Sequence, residues 1–101
     1  DNLTNAEHAL IVEGEDDKIA LEKLLPSMST KIKRAIQNGT FIIDYIGGAG
    51  NLPYKLSFYR NLQCKYHVLL DNDDAGRHAG SEAERQGLLD VRNVTYMQWF
   101  S

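Results

Sequence analysis

Cysteine is almost missing from this chain. Cys64 stands alone, which excludes an intramolecular disulfide and any multi-cysteine zinc site, and no Cys or His sits at ligand spacing from it. A reducing compartment fits such a sequence, and the expected location is cytoplasmic. Long apolar runs are missing as well, so no membrane span is expected. Asp1-Asn2-Leu3-Thr4-Asn5 has neither the basic region nor the apolar core of a secretion signal. Positive charge is also short: 11 Lys and Arg against 14 Asp and Glu leave a formal net charge of -3. That balance argues against a domain that grips nucleic acid by a broad basic face. If the partner is DNA, its phosphates must be met by metal ions, by a few local cations or by another domain.

There is no internal repeat, linker-like stretch or low-complexity segment. The 101 residues, 43% hydrophobic and 25% charged, have the composition of an ordinary globular domain. That length is about one domain with a small core. Residues 1–101 are accordingly expected to be a single domain. The last predicted strand ends close to the C-terminus, so the chain is expected to be cut from a longer protein.

Short apolar runs alternate with segments of helical spacing. Ala9 to Val12 reads as a buried strand, and Glu15 to Leu25 as a helix with Ala20/Leu24 and Leu21/Leu25 at the four-residue spacing and Pro26 as its stop. Ser29 or Thr30 caps a short helix over Lys31 to Gln37, ended by Asn38-Gly39, with Lys31, Lys33 and Arg34 facing water. Thr40 to Ile46 is β-branched and aromatic, a second strand running into Gly47-Gly48-Ala49-Gly50. Asn51 is the expected N-cap of a helix with Pro53 in its first turn and a stripe of Leu52, Leu56, Tyr59 and Leu62. Tyr66 to Leu70 returns as a strand. Asp74 to Gln86 is a helix with Ala75, Ala79 and Ala83 on one face beside Gly76 and Gly80, and Val94 to Trp99 is the last strand. This order predicts an α/β fold with a mostly parallel, doubly wound, four-stranded sheet flanked by helices.

Two of these strands run straight into carboxylates. Ala9-Leu10-Ile11-Val12 ends in Glu13-Gly14, and Val68-Leu69-Leu70 ends in Asp71-Asn72-Asp73-Asp74-Ala75-Gly76. Ligands bind where the strands of an open α/β sheet end, so Glu13, Asp71 and Asp73 are expected in one crevice. Carboxylates that close repel one another and raise each other's pKa unless a cation lies between them. Asp71 and Asp73, two residues apart at a strand end, are expected to leave on the same side. Asp17, four residues after Glu13, reaches the same mouth. Hard oxygen ligands of this kind suit Mg²⁺ or Mn²⁺ rather than zinc.

Other motifs say less. The Asp71–Glu82 segment imitates an EF-hand loop, but Ala75 stands where a ligand oxygen is needed and the preceding residues read as strand. The Gly47–Gly50 loop can offer backbone N–H groups to a phosphate, yet it lacks the Gly-Lys-Ser/Thr of a P-loop. Gly14, Gly47, Gly48 and Arg77 are the candidate phosphate or DNA contacts. His8, His67 and His78 have no partner at catalytic or metal spacing. Lys18, Lys55 and Arg60 read as ordinary solvated charges.

The strand ending in Glu13-Gly14, the glycine loop and the Asp71-x-Asp73 motif about sixty residues on resemble a Toprim domain. That is the module shared by type IA and type II topoisomerases, bacterial primases and nucleases of the OLD (overcoming lysogenization defect) family. Val12-Glu13-Gly14-Glu15-Asp16-Asp17, Ile46-Gly47-Gly48-Ala49-Gly50-Asn51 and Leu70-Asp71-Asn72-Asp73 are most similar to the OLD-type ATP-dependent endonucleases. The resemblance implies a Rossmann-like fold and a Mg²⁺- or Mn²⁺-dependent DNA nuclease. It also implies catalytic roles for Glu13, Asp71 and Asp73, and Asp17 as an extra metal ligand. The implied partners are DNA and an ABC-type ATPase domain elsewhere in the parent chain, with oligomerisation through further domains. No Walker motif is present, and the family's downstream acidic and lysine elements have no clear counterpart before Ser101. The rivals are a primase-type Toprim domain, a non-catalytic Toprim module for DNA-repair assembly, and a receiver-like phosphoacceptor domain. The last would want adjacent acids after the first strand.

Overall fold

Apolar runs too short for helices, each bounded by acids, glycine or a turn, settle as strands in the computed structural model, which describes residues 5–98. Among these residues four strands alternate with four helices: β1 (His8–Val12), α1 (Glu15–Met28), α2 (Thr30–Gln37), β2 (Phe41–Tyr45), α3 (Leu52–Asn61), β3 (Lys65–Asp71), α4 (Asp74–Arg85) and β4 (Val94–Met97). Two 3-10 turns, Ala49–Asn51 and Val91–Asn93, precede α3 and β4. The strands form one sheet in the order β2-β1-β3-β4, and every neighbouring pair is parallel. The α/β architecture is the expected one, with all pairs parallel. Among the described residues no helix is long and apolar enough to cross a membrane.

Strand alternation divides the core between the two faces of the sheet. Ile11, Val68 and Leu70 join Leu52, Leu56 and Tyr59 of α3 and Ala79 and Ala83 of α4 in the main buried cluster. Val12 and Ile43, also buried, fall on the opposite face, against α1 and α2. Neither α1 nor α2 has a buried residue of its own. The chain leaves β1 toward β2 and then crosses back to β3. The strand order therefore reverses between β1 and β3, and a crevice opens at their carboxyl ends.

Several local expectations are corrected. Pro26 does not stop α1, which continues to Met28. Proline removes one backbone donor, but the last turn is still tied by the Ser29 N–H to Leu25 O at 3.1 Å and by the Ser27 hydroxyl to Leu24 O at 2.6 Å. Ser29 caps α2, its Oγ accepting from the Ile32 N–H at 3.1 Å. Asn51 does not cap α3, because the 3-10 turn before it continues into the helix and leaves Asn51 itself helical. Its amide instead donates back to Gly47 O at 3.2 Å. Ala75 is exposed, and the face of α4 against the sheet is Gly76, Ala79, Gly80 and Ala83. Ala20 and Leu24 are exposed, whereas Leu21 and Leu25 turn inward. His8 lies within β1 rather than before it. Trp99, expected at the end of the last strand, lies outside the described residues.

The edge strand β2 is tied to α3 by a polar cluster. Asp44 accepts from the Tyr59 hydroxyl at 2.6 Å, from the Tyr45 N–H at 2.8 Å and from Lys55, whose Nζ is 3.2 Å away. Burial pushes the Asp44 pKa up, but these three donors outweigh it and hold the carboxyl below its ordinary range. Burial, and then the bond to Asp44, push the Tyr59 phenol well above its own range. A carboxyl whose pKa is lowered on folding contributes stability above its unfolded pKa and loses it as pH falls through the folded one. A phenol whose pKa is raised contributes below its unfolded pKa and loses that contribution as pH rises. Tyr59→Phe should therefore cost roughly 1.5–3 kcal/mol, the range for a hydrogen bond to a charged group. Denaturant unfolding at neutral pH checks this, and the deficit should shrink as pH falls from the ordinary carboxylate range through the lower folded-state pKa of Asp44.

Candidate metal centre

The crevice at the ends of β1 and β3 is built from the two acidic segments. β1 places Glu13 one residue beyond its last paired position, and β3 runs through Leu70 to Asp71. The Asp71 backbone N–H donates to Glu13 Oε2 at 2.5 Å, so the carboxylate of one strand end is held by the backbone of the other. Glu13 has its pKa raised. Burial is the largest cause, the Asp71 N–H opposes it, and the charges of Asp71, Asp73 and Asp17 add to it. The other three predicted acids thus all act on Glu13.

Asp17 belongs to the first turn of α1, beside Glu15 and Asp16. Its Oδ2 lies 3.6 Å from where a side chain on Gly14 would begin, so the carboxylate folds back over that glycine toward the end of β1. Asp73 has a second task that the alternation argument missed. The strand ends at Asp71 and the chain bends, and Asp73 becomes the N-cap of α4, with its Oδ1 accepting from the Gly76 N–H at 2.8 Å. Among the described residues no three Asp, Glu, His or Cys side chains converge as a ready ligand set. Glu13 and Asp73 are each turned toward a backbone donor through one oxygen, and a carboxylate with one such bond keeps further acceptor capacity. As a donor set the four are hard oxygens, which fit Mg²⁺ or Mn²⁺ and not a soft-ligand metal.

Glycines set the close approaches. A Cβ on Gly76 would lie 2.0 Å from Asp71 O, so no other residue lets the start of α4 pack this tightly on the end of β3. Gly47 and Gly48 have φ of +76° and +128°, conformations that glycine adopts without steric cost. The Gly47 N–H donates to Glu13 O at 3.2 Å, which brings the glycine loop alongside the acids but engages one of the amides expected to meet phosphate. A cleft of about 260 Å³ opens at this edge, lined by Asp71, Asn72, Asp73, Met97 and Gln98. Arg77, the other candidate contact, has its guanidinium carbon 3.9 Å from the centroid of the Tyr96 ring, and its Nε donates to Asn72 Oδ1 at 2.9 Å. Neither Asn72 nor Tyr96 was singled out by the sequence. The spacing of Arg77 and Gly80, one helical turn apart, is the only local hint that a ring could lie along that face.

Residues 6–73 match the family model for the TOPRIM domain of overcoming lysogenization defect protein-like proteins. The chain belongs to that family, and Toprim domains are generally parts of nucleic-acid-processing enzymes. The matched segment takes in β1, Glu13, Asp17, the glycine loop and the Asp71-Asn72-Asp73 run. No curated protein and no solved structure matches the chain.

Two outcomes follow for stability in metal-free buffer. A carboxyl with a raised folded-state pKa favours the fold below its unfolded pKa and loses that advantage as pH rises through the folded value. Glu13→Gln, which keeps an oxygen for the Asp71 N–H, should therefore melt higher than the native protein at pH 7, and the gap should narrow toward pH 4. Asp73→Asn keeps the cap and should be close to neutral, whereas Asp73→Ala should cost about 1 kcal/mol. Thermal melts across pH and denaturant unfolding of the Asp73 pair check both.

Proposed function

We propose that this chain is the Mg²⁺- or Mn²⁺-dependent catalytic domain of an OLD-like DNA endonuclease that hydrolyses phosphodiester bonds by a two-metal mechanism. The observation that carries the reading is the junction of Glu13 with Asp71 at the point where the strand order reverses, with Asp17 and Asp73 within its field. A scaffold gains nothing from carboxylates held against their own repulsion. In this reading Glu13 and Asp17 hold one cation, and Asp71 and Asp73 hold a second or share the first. Divalent ions supply the Lewis acidity that activates an attacking water and stabilises the leaving oxygen.

The protein's own part is to position the reactants and to move a proton. Glu13, fixed at the crevice edge by the Asp71 N–H, is the group placed to exchange a proton with the attacking water. Gly14, Gly48 and Arg77 border the crevice as contacts for the DNA backbone. DNA and an ABC-type ATPase domain of the parent chain are the proposed partners, in the cytoplasm.

The protein should nick or linearise supercoiled plasmid in Mg²⁺ or Mn²⁺ and lose that activity in Glu13→Ala and Asp71→Ala. Titration calorimetry with Mn²⁺ should show binding that Asp71→Asn/Asp73→Asn abolishes, with affinity falling as pH drops and the carboxylates protonate. Tyr54 is 78% exposed, so a tyrosine nucleophile is tested directly. A covalent protein–DNA adduct after denaturant quench, or relaxed closed circles without nicks, would overturn the hydrolytic reading.

A further inference from the structure

Arg77 sits beside an acidic stretch of the chain, three residues after Asp74 and four after Asp73. Yet among the described residues its guanidinium forms no salt bridge; the ion pairs are Lys18–Glu22, Lys55–Asp44, Arg85–Glu82 and Arg92–Asp90. A flexible cation next to several carboxylates ordinarily collapses onto one of them, since opposite charges at contact distance attract. Two contacts account for its standing apart. Its guanidinium lies over the Tyr96 ring, 3.9 Å from the centroid, and its Nε is held by Asn72 Oδ1 at 2.9 Å. Asp73, the N-cap of its own helix, is turned to the Gly76 N–H.

The ring under Arg77 is itself fixed. Tyr96 pairs in register with Leu70 on β3, and its side chain leaves on the face that α4 covers. There its hydroxyl occupies the space a side chain on Gly80 would need, 2.0 Å from the position of that missing Cβ. Arg77 lies one turn earlier on the same helical face, so a ring laid along α4 from Gly80 ends beneath Arg77. Asn72 in turn lines the cleft beside Asp71 and Asp73. Gly80, Tyr96, Arg77 and Asn72 form a continuous support that ends at the acidic edge.

We propose that Tyr96, with Asn72, is a positioning residue that holds the Arg77 guanidinium apart from the carboxylates so that it binds a nucleic-acid phosphate presented to that edge. The inference rests on the nuclease reading for its consequence in catalysis. Its chemistry is that of a guanidinium held over an aromatic ring and by Asn72 at Nε, an arrangement that leaves the two Nη groups for phosphate oxygens. A lysine keeps the charge but cannot provide the planar fork or the stacking plane.

The test uses Arg77→Met, Arg77→Lys, Tyr96→Leu and Tyr96→Phe in the protein, each first checked for a native thermal transition. Affinity for a DNA oligonucleotide is read by fluorescence anisotropy in Ca²⁺ over a range of salt, and single-turnover cleavage is read in Mn²⁺. Arg77→Met should lower the slope of log affinity against log salt by about 1 and the cleavage rate by about 10²-fold. Arg77→Lys should keep the slope and still lose rate. Tyr96→Leu should also keep the slope, because the charge remains, while losing about tenfold in rate through misplacement. Tyr96→Phe, which keeps the ring, should behave as the native protein. If Tyr96→Phe is as slow as Tyr96→Leu, the loss belongs to the hydroxyl and the stacking role is overturned. Should Tyr96→Leu not fold, the Arg77 pair decides: Arg77→Met with native slope and rate, in a protein that Glu13→Gln inactivates, overturns the inference and leaves the nuclease reading standing. A native protein that cuts no DNA while Arg77→Met still loses salt slope overturns the nuclease reading and leaves Arg77 as the phosphate-holding group.

Discussion

The bond from the Asp71 N–H to the Glu13 carboxylate joins the two strand ends on which the whole edge depends. β1 and β3 are neighbours in the sheet although helices and a further strand separate them in the chain. The last paired position between them is Ile11 with Val68, so beyond that point side-chain chemistry takes over from the backbone ladder. Glu13 supplies it. The carboxylate is partly withdrawn from water and surrounded by like charge, both of which favour its neutral form, and one backbone donor opposes them. The edge is therefore held together by a group that is itself electrostatically uncomfortable, an arrangement more often found at functional sites than in structural ion networks.

Close packing around that junction follows from small residues. Gly76 admits the carbonyl of Asp71 and Gly80 admits the hydroxyl of Tyr96, so α4 lies lower on the sheet than a helix with side chains at those positions could. This low seat brings the N-terminus of α4, capped by Asp73, next to the end of β3. It also sets Arg77 over a ring instead of over an acid. On the other flank β2 is an edge strand with an inward-pointing carboxylate. Asp44 is tolerated there because Tyr59, Lys55 and the Tyr45 amide all donate to it. A half-buried charge with several donors favours one register at that edge as well as stabilising it.

Much of this was legible in the residues. Short apolar runs between helical stripes give the alternation, and acids that directly follow strands of a parallel sheet all fall at its carboxyl edge. The glycines and asparagine of turns marked the boundaries to within a few residues. Where the reading failed, it failed for local reasons with tertiary causes. Pro26 reads as a stop by its missing donor, yet the final turn of α1 finds other hydrogen bonds. Asn51 has the chemistry of a cap, but a preceding turn of 3-10 helix had already taken that place.

The sequence by itself determined the element order, the parallel sheet, and which carboxylates stand at its edge, since periodicity and strand ends are properties of neighbouring residues. Only the tertiary structure decided how those carboxylates are used. Asp71 and Asp73, two residues apart, were expected to leave on the same side, and the bend after β3 gives Asp73 the further task of capping a helix. The contacts of Glu13 with Asp71, of Tyr59 with Asp44 and of Tyr96 with Arg77 join segments that no short-range pattern relates. Each depends on strand order and on how closely a helix seats on the sheet, and those are set by packing across the whole core.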